Sequence, residues 1–121
     1  MQGLVFVVDD SDANLMVIAS ALDAQYNVLT IPSAEKLFSL LEKKRPNIIL
    51  MDIEMPVIDG FEAVIRIKQN QNWSDITIVM LTGWIDDKVK ARAFELGACE
   101  VIAKPVDVDA LQECILKYIK L

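Results

Sequence analysis

The sequence predicts a doubly wound α/β sandwich, five strands alternating with five helices, and two patterns carry that expectation. Short apolar runs without polar alternation recur along the chain, which suits strands buried on both faces of a parallel sheet. Between them lie stretches whose apolar residues repeat every three or four positions, the spacing of a helix with one buried stripe. The chain has 121 residues, 54 % of them hydrophobic, so a single domain over 1–121 can bury a real core.

The elements follow in order. Leu4-Val5-Phe6-Val7-Val8 is the first strand and ends in Asp9-Asp10. Leu15, Ile18, Ala19 and Leu22 make a helical stripe behind Ser11 or Asp12 as its cap. A weaker strand over 26–30 runs into Thr30-Ile31-Pro32, and Ala34, Leu37, Leu40 and Leu41 form the second stripe behind Ser33. Residues 48–51 are a third strand ending at Asp52, followed by a stripe of Ile58, Phe61, Val64 and Ile65. Residues 76–81 are a fourth, ending in Thr82-Gly83, followed by Val89, Ala93 and Leu96 with Gly97 as the helix stop. Residues 101–103 are the fifth, ending in Lys104-Pro105, and Leu111, Cys114, Ile115 and Tyr118 close the chain behind Asp107.

Composition removes several classes of function. A net charge of −6 is wrong for nonspecific nucleic-acid binding, which needs a basic face, and for a polybasic membrane anchor. No apolar run approaches the roughly 20 residues that span a bilayer, and Met1-Gln2-Gly3-Leu4 lacks the basic start of a signal peptide. Cys99 and Cys114 fit no metal spacing and read as small, reduced core residues, so a cytoplasmic location is expected. The chain has no histidine, which removes Ser-His-Asp and Cys-His catalysis and His-ligated zinc. Chemistry must then run on carboxylates, hydroxyls, lysine and a hard cation.

In a doubly wound sheet the functional site lies beyond the carboxyl ends of the strands. Four of the five strands deliver a capable residue there: Asp9 and Asp10, Asp52, Thr82 and Lys104. Taken singly, each has a plainer reading. Asp9-Asp10 suits a helix cap, Thr82-Gly83 a turn, and Lys104 a solvated loop. Together they form a set. Crowded carboxylates either hold a proton or bind a cation, and an all-oxygen site without His or Cys suits Mg²⁺. Lys104 and Thr82 add a charge and a donor for further oxygens. Phosphoryl transfer rests on positioning and charge neutralisation, and a carboxylate can be its nucleophile, so the set suits a phosphoryl group on or near one Asp.

Asp9-Asp10, the stretch Met51-Asp52-Ile53-Glu54-Met55-Pro56-Val57-Ile58-Asp59-Gly60, Leu81-Thr82-Gly83, Gly97-Ala98 and Lys104-Pro105 resemble the receiver domain of bacterial two-component response regulators, over essentially the whole chain. The resemblance implies a flavodoxin-like (βα)5 sheet in the order 2-1-3-4-5. It implies that Asp52 is the phosphoacceptor, and that Mg²⁺ is held by Asp9, Asp10, Asp52 and the backbone carbonyl of Glu54. Thr82 then matches the switch hydroxyl, Lys104 the lysine that pairs with the phosphoryl group, Pro105 a cis proline, and Asn14 a position where the family often has Asn. The implied partners are a sensor histidine kinase or phosphotransfer protein, an output domain or downstream protein, and room for a homodimer. Output would be read on the fourth helix, fifth strand and fifth helix through Lys88, Arg92, Glu100, Glu113 and Lys117. No turnover of an external substrate is implied, only assistance to the chain's own phosphorylation and dephosphorylation.

The sequence departs from that pattern in and around the site. Val101 stands where many receivers carry an aromatic partner of the switch hydroxyl, and Ser11 where a further acid is common. Trp84 and Glu54 flank the site and are placed to affect the attack of water. Asp59-Gly60 reads as a turn in which Gly60 supplies unusual backbone angles, and Trp73 as a surface-packed loop residue. Two other classes stay open here: an interaction module on the same fold that ignores phosphorylation, and a phosphatase working through an aspartyl phosphate. Against the latter, Asp52-Ile53-Glu54 lacks a second Asp and no cap insertion is present.

Overall fold

A computed structural model describes residues 3–119; the ends of the expected domain, residues 1–2 and 120–121, lie outside the described residues. Five parallel strands stand in the order β2-β1-β3-β4-β5: β1 (Leu4–Val8), β2 (Asn27–Ile31), β3 (Ile48–Asp52), β4 (Thr77–Thr82) and β5 (Glu100–Ala103). The helices are α1 (Asp12–Leu22), α2 (Ala34–Leu41), α3 (Gly60–Gln69), α4 (Asp87–Leu96) and α5 (Val108–Tyr118). The central strands β1, β3 and β4 carry unbroken apolar runs, Val5–Val8, Ile48–Met51 and Ile78–Leu81, because both their faces are covered. Phe6, Val8, Ile49, Met51, Ile78 and Met80 face α2, α3 and α4, whereas Val5, Val7, Ile48, Leu50, Val79 and Leu81 face α1 and α5. The order reverses between β2 and β3 around β1, and that switch point opens a crevice at the carboxyl ends of β1 and β3.

Local chemistry sets the helix ends. Ser11, Ser33, Asp59, Asp86 and Asp107 each cap a helix by accepting an N–H from its first turn. Gly97 ends α4 with φ 114, in the left-handed region. Lys104-Pro105 is a cis peptide, as the resemblance implies. Both thiols are unpaired, and burial pushes Cys114 up to about 12, so it stays a neutral core group.

Three expectations need correction. The strand expected at 26–30 is Asn27–Ile31, and Tyr26 instead ends the preceding turn through its N–H to the Leu22 carbonyl. The buried face of α3 is Gly60, Ala63, Val64 and Ile67; Ile58 lies before the helix, and Phe61 and Ile65 are only partly covered. Gly60 is not needed for its backbone angles. A Cβ there would stand 2.4 Å from the Asp52 carbonyl oxygen and 2.7 Å from Ile53 Cα, so the absent side chain lets α3 close on the end of β3. The left-handed residue of this loop is Val57, with φ 67.

Candidate phosphoacceptor site

The carboxyl ends of β1, β3, β4 and β5 deliver the expected residues to one place. Asp9 follows β1 and is fully buried. Its Oδ1 accepts the Ser11 N–H at 2.9 Å and its Oδ2 accepts from the Asn14 amide at 3.2 Å, so the first turn of α1 orients it. Asp10, one residue on, is exposed. Asp52 ends β3 and is 1 % exposed. Lys104 follows β5, where its N–H bonds the Thr82 carbonyl at 2.8 Å and fixes the side chain's origin. Its Nζ then lies 2.8 Å from Asp52 Oδ1 and 3.4 Å from Asp9 Oδ2.

Burial pushes the Asp52 carboxyl from its ordinary 3.8 up to about 6, with the charges of Asp9 and Glu54 adding to the rise against the opposing hydrogen bond and charge of Lys104. Burial pulls the Lys104 ammonium down, but its bonds to Asp52 and Asp9 more than offset this and raise it overall. The centre is one cation among three acids and carries excess negative charge.

Asp9, Asp10 and Asp52 each offer a carboxylate oxygen, and these lie within 4.8 Å of one another. Oxygens sharing one Mg²⁺ at about 2.1 Å are at most about 4.2 Å apart, so small side-chain rotations would complete such a set. The donors are hard oxygens and the residual charge is negative, so the residues fit a divalent cation.

Thr82 is buried at the end of β4, and among the described residues its hydroxyl bonds Glu54 and Trp84 rather than Asp52. Its hydroxyl lies 2.7 Å from Glu54 Oε2 and 3.2 Å from the Trp84 carbonyl, and it accepts the Trp84 N–H at 3.1 Å. Glu54 Oε1 accepts the Gly83 N–H at 3.4 Å, while the Glu54 N–H bonds Asp52 Oδ1 at 3.3 Å. The side-chain contact of Glu54 was not foreseen, because nothing local signals a partner 28 residues away. The contact of Asn14 with Asp9 is local by comparison, formed across five residues as the first turn of α1 starts. Trp84 is 70 % exposed, and its indole N–H bonds the carboxylate of Asp86, the cap of α4.

The comparisons with known proteins agree with this geometry. The family model described as response regulator receiver domain matches residues 5–116. The heme response regulator HssR of Staphylococcus aureus is 38 % identical over 106 residues, covering 87 % of this chain and 46 % of that protein. A probable cyclic di-GMP phosphodiesterase of Vibrio cholerae is 28 % identical, covering 98 % of this chain and 27 % of that protein. Among solved structures, the chemotaxis protein CheY4 of Vibrio cholerae superposes with a TM-score of 0.91 at 27 % identity, covering 98 % of this chain and 99 % of that one. The chain spans about a quarter to a half of the length of the first curated relatives it matches.

Proposed function

Because this chain belongs to the family of response regulator receiver domains, we propose that it works as a phosphorylation switch that takes a phosphoryl group onto Asp52 from the phosphohistidine of a sensor kinase or phosphotransfer protein. The observation that carries the reading is a buried strand-end carboxylate held 2.8 Å from a lysine and beside two further acids.

Among the described residues, both hydrogen bonds to Asp52 fall on Oδ1, from Lys104 and from the Glu54 N–H. Oδ2 is therefore the oxygen left to attack. It bonds to phosphorus as the P–N bond of the donor breaks, and the electron pair leaves with the donor imidazole. Lys104 keeps Asp52 ionised for the attack and then offers its charge to a phosphoryl oxygen. Asp9, Asp10, Asp52 and the Glu54 backbone carbonyl would hold Mg²⁺, which supplies neutralisation of the phosphoryl oxygens when bound. The same groups serve the later attack of water on phosphorus, which breaks the P–O bond to Asp52 and releases inorganic phosphate and the free carboxylate, and no external substrate is turned over.

The output follows from what touches Thr82. Val101 offers no aromatic ring to follow the hydroxyl, so the route to α4 runs through the Trp84 backbone and its indole bond to the Asp86 cap. A change at Thr82 then biases α4 and the α4-β5-α5 face toward an output domain, a downstream protein or a second copy. On that face Lys88 and Glu113 are exposed and Lys117 pairs with Glu100 at 3.3 Å. Arg92 instead lies over the Phe61 ring at 4.9 Å and serves the α3–α4 contact. The acidic charge supports a domain that does not itself bind nucleic acid, and no helix among the described residues is long and apolar enough to cross a membrane.

Intact mass after incubation with a small phosphodonor tests the reading. One phosphoryl adduct that requires both Mg²⁺ and Asp52 is expected. An adduct that persists in Asp52→Asn, or none on a folded protein from either a small donor or a phosphorylated kinase, would overturn it.

A further inference from the structure

The Thr82 hydroxyl has one proton to give, and in this structure it is taken. Its shortest contact is Glu54 Oε2 at 2.7 Å, the length of a charge-assisted bond, against 3.2 Å for the Trp84 carbonyl. The second oxygen of the same carboxylate accepts the Gly83 N–H at 3.4 Å. One anionic group with two oxygens thus engages both a buried hydroxyl and the neighbouring amide at the end of β4. Those are the donors at that strand end which an anionic group on Asp52 would recruit. Glu54 can hold this position because it is tied at both ends: its N–H bonds Asp52 Oδ1 and its side chain crosses to β4.

We propose that the Glu54 carboxylate is an internal stand-in for the phosphoryl group, holding the Thr82 hydroxyl and the Gly83 amide until a phosphoryl group on Asp52 displaces it. The inference rests on the reading of Asp52 as phosphoacceptor. A hydroxyl cannot donate to two acceptors at once, so each bond from Thr82 to the phosphoryl group costs the bond to Glu54. Glu54 is exposed beyond this contact and has water to turn to when released. Its side chain has a positioning role: it sets how readily the switch hydroxyl engages and does not take part in the transfer.

The probe is beryllofluoride with Mg²⁺, an unreactive mimic of the phosphoryl group, titrated by calorimetry into wild type, Glu54→Ala, Glu54→Gln, Thr82→Val and the Glu54→Ala/Thr82→Val pair. Releasing one net hydrogen bond to a solvent-exposed carboxylate predicts that Glu54→Ala binds about three- to tenfold tighter than wild type. In the Thr82→Val background the same replacement is expected to change affinity less than about twofold, the signature of coupling through the hydroxyl. Glu54→Gln, neutral but still an acceptor for Thr82, is expected to bind more weakly than Glu54→Ala. Three results would overturn the proposal: no tightening in Glu54→Ala, equal tightening in both Thr82 backgrounds, or identical affinity for the Gln and Ala variants. The second and third would mean that Glu54 acts only through its charge. Because Glu54 is exposed, its single variants remain readable should Thr82→Val fail to fold. A wild type that binds no beryllofluoride would instead bring down the phosphoacceptor reading itself.

Discussion

Replacing Asp52 with Asn should stabilise the metal-free protein at neutral pH. In the unfolded chain this carboxyl titrates near 3.8, and in the fold, where burial and the charges of Asp9 and Glu54 outweigh Lys104, near about 6. The folded state therefore binds the proton more tightly, and stability falls as pH rises from the lower value to the higher. The gap between 3.8 and about 6 sets a ceiling of about 3 kcal/mol on the cost of keeping Asp52 ionised at pH 7.5. Asn has the shape of the neutral acid and never ionises, while Lys104 keeps Asp9 at 3.4 Å. Urea unfolding in a chelator, followed by far-ultraviolet circular dichroism, should show the variant about 1–3 kcal/mol more stable at pH 7.5. The difference should shrink toward zero near pH 4. Adding Mg²⁺ should narrow it from the other side, because a cation bound to the acids rewards the ionised form. A variant no more stable than wild type at pH 7.5 without metal, or an advantage that does not fade on acidification, would refute the electrostatic account of the site.

Other perturbations test other parts of it. Gly60→Ala places a Cβ 2.4 Å from the Asp52 carbonyl oxygen, where only backbone could give way, so a loss of about 2–3 kcal/mol is expected in thermal or urea unfolding; an unperturbed Ala variant would mean α3 does not close on β3 as described. Lys104→Met removes the cation from two buried carboxylates and should cost on the order of 3 kcal/mol in chelator, with part of the loss recovered by Mg²⁺. Equal losses with and without Mg²⁺ would argue that the cation does not bind among these acids. Val57→Gly should raise stability by about 0.5–1 kcal/mol, since a β-branched residue at φ 67 with 91 % exposure has strain to lose and little packing; a destabilised Gly variant would contradict that backbone conformation.

The strands were legible because β1, β3 and β4 are covered on both sides and so read as unbroken apolar runs. The strand ends were legible because a parallel sheet brings its carboxyl ends together, which turned Asp9, Asp10, Asp52, Thr82 and Lys104 from five scattered residues into one cluster. The register of α3 was not. Two of its four buried positions are the small Gly60 and Ala63, and a search for large apolar residues favours Phe61 and Ile65 instead. The start of β2 was displaced because the buried Tyr26 mimics a strand residue while closing a turn. Within the site, the acids and the lysine were named from the sequence, but what each side chain holds in the resting state was not. Glu54 reaches Thr82 from the end of β3 to the end of the neighbouring β4, and Asn14 reaches Asp9 as the first turn of α1 forms beside it. The first of these contacts is tertiary, 28 residues apart in the chain, and no local pattern encodes it.

In the proposed function Asp52 is the residue that carries the phosphoryl group. Reducing the phosphorylated protein with borohydride converts an aspartyl phosphate to homoserine, and peptide mass mapping then locates it. Homoserine at position 52 is the predicted result. Homoserine at position 9 or 10, or a stable phosphoester on Thr82 in place of any reducible acyl phosphate, would contradict it.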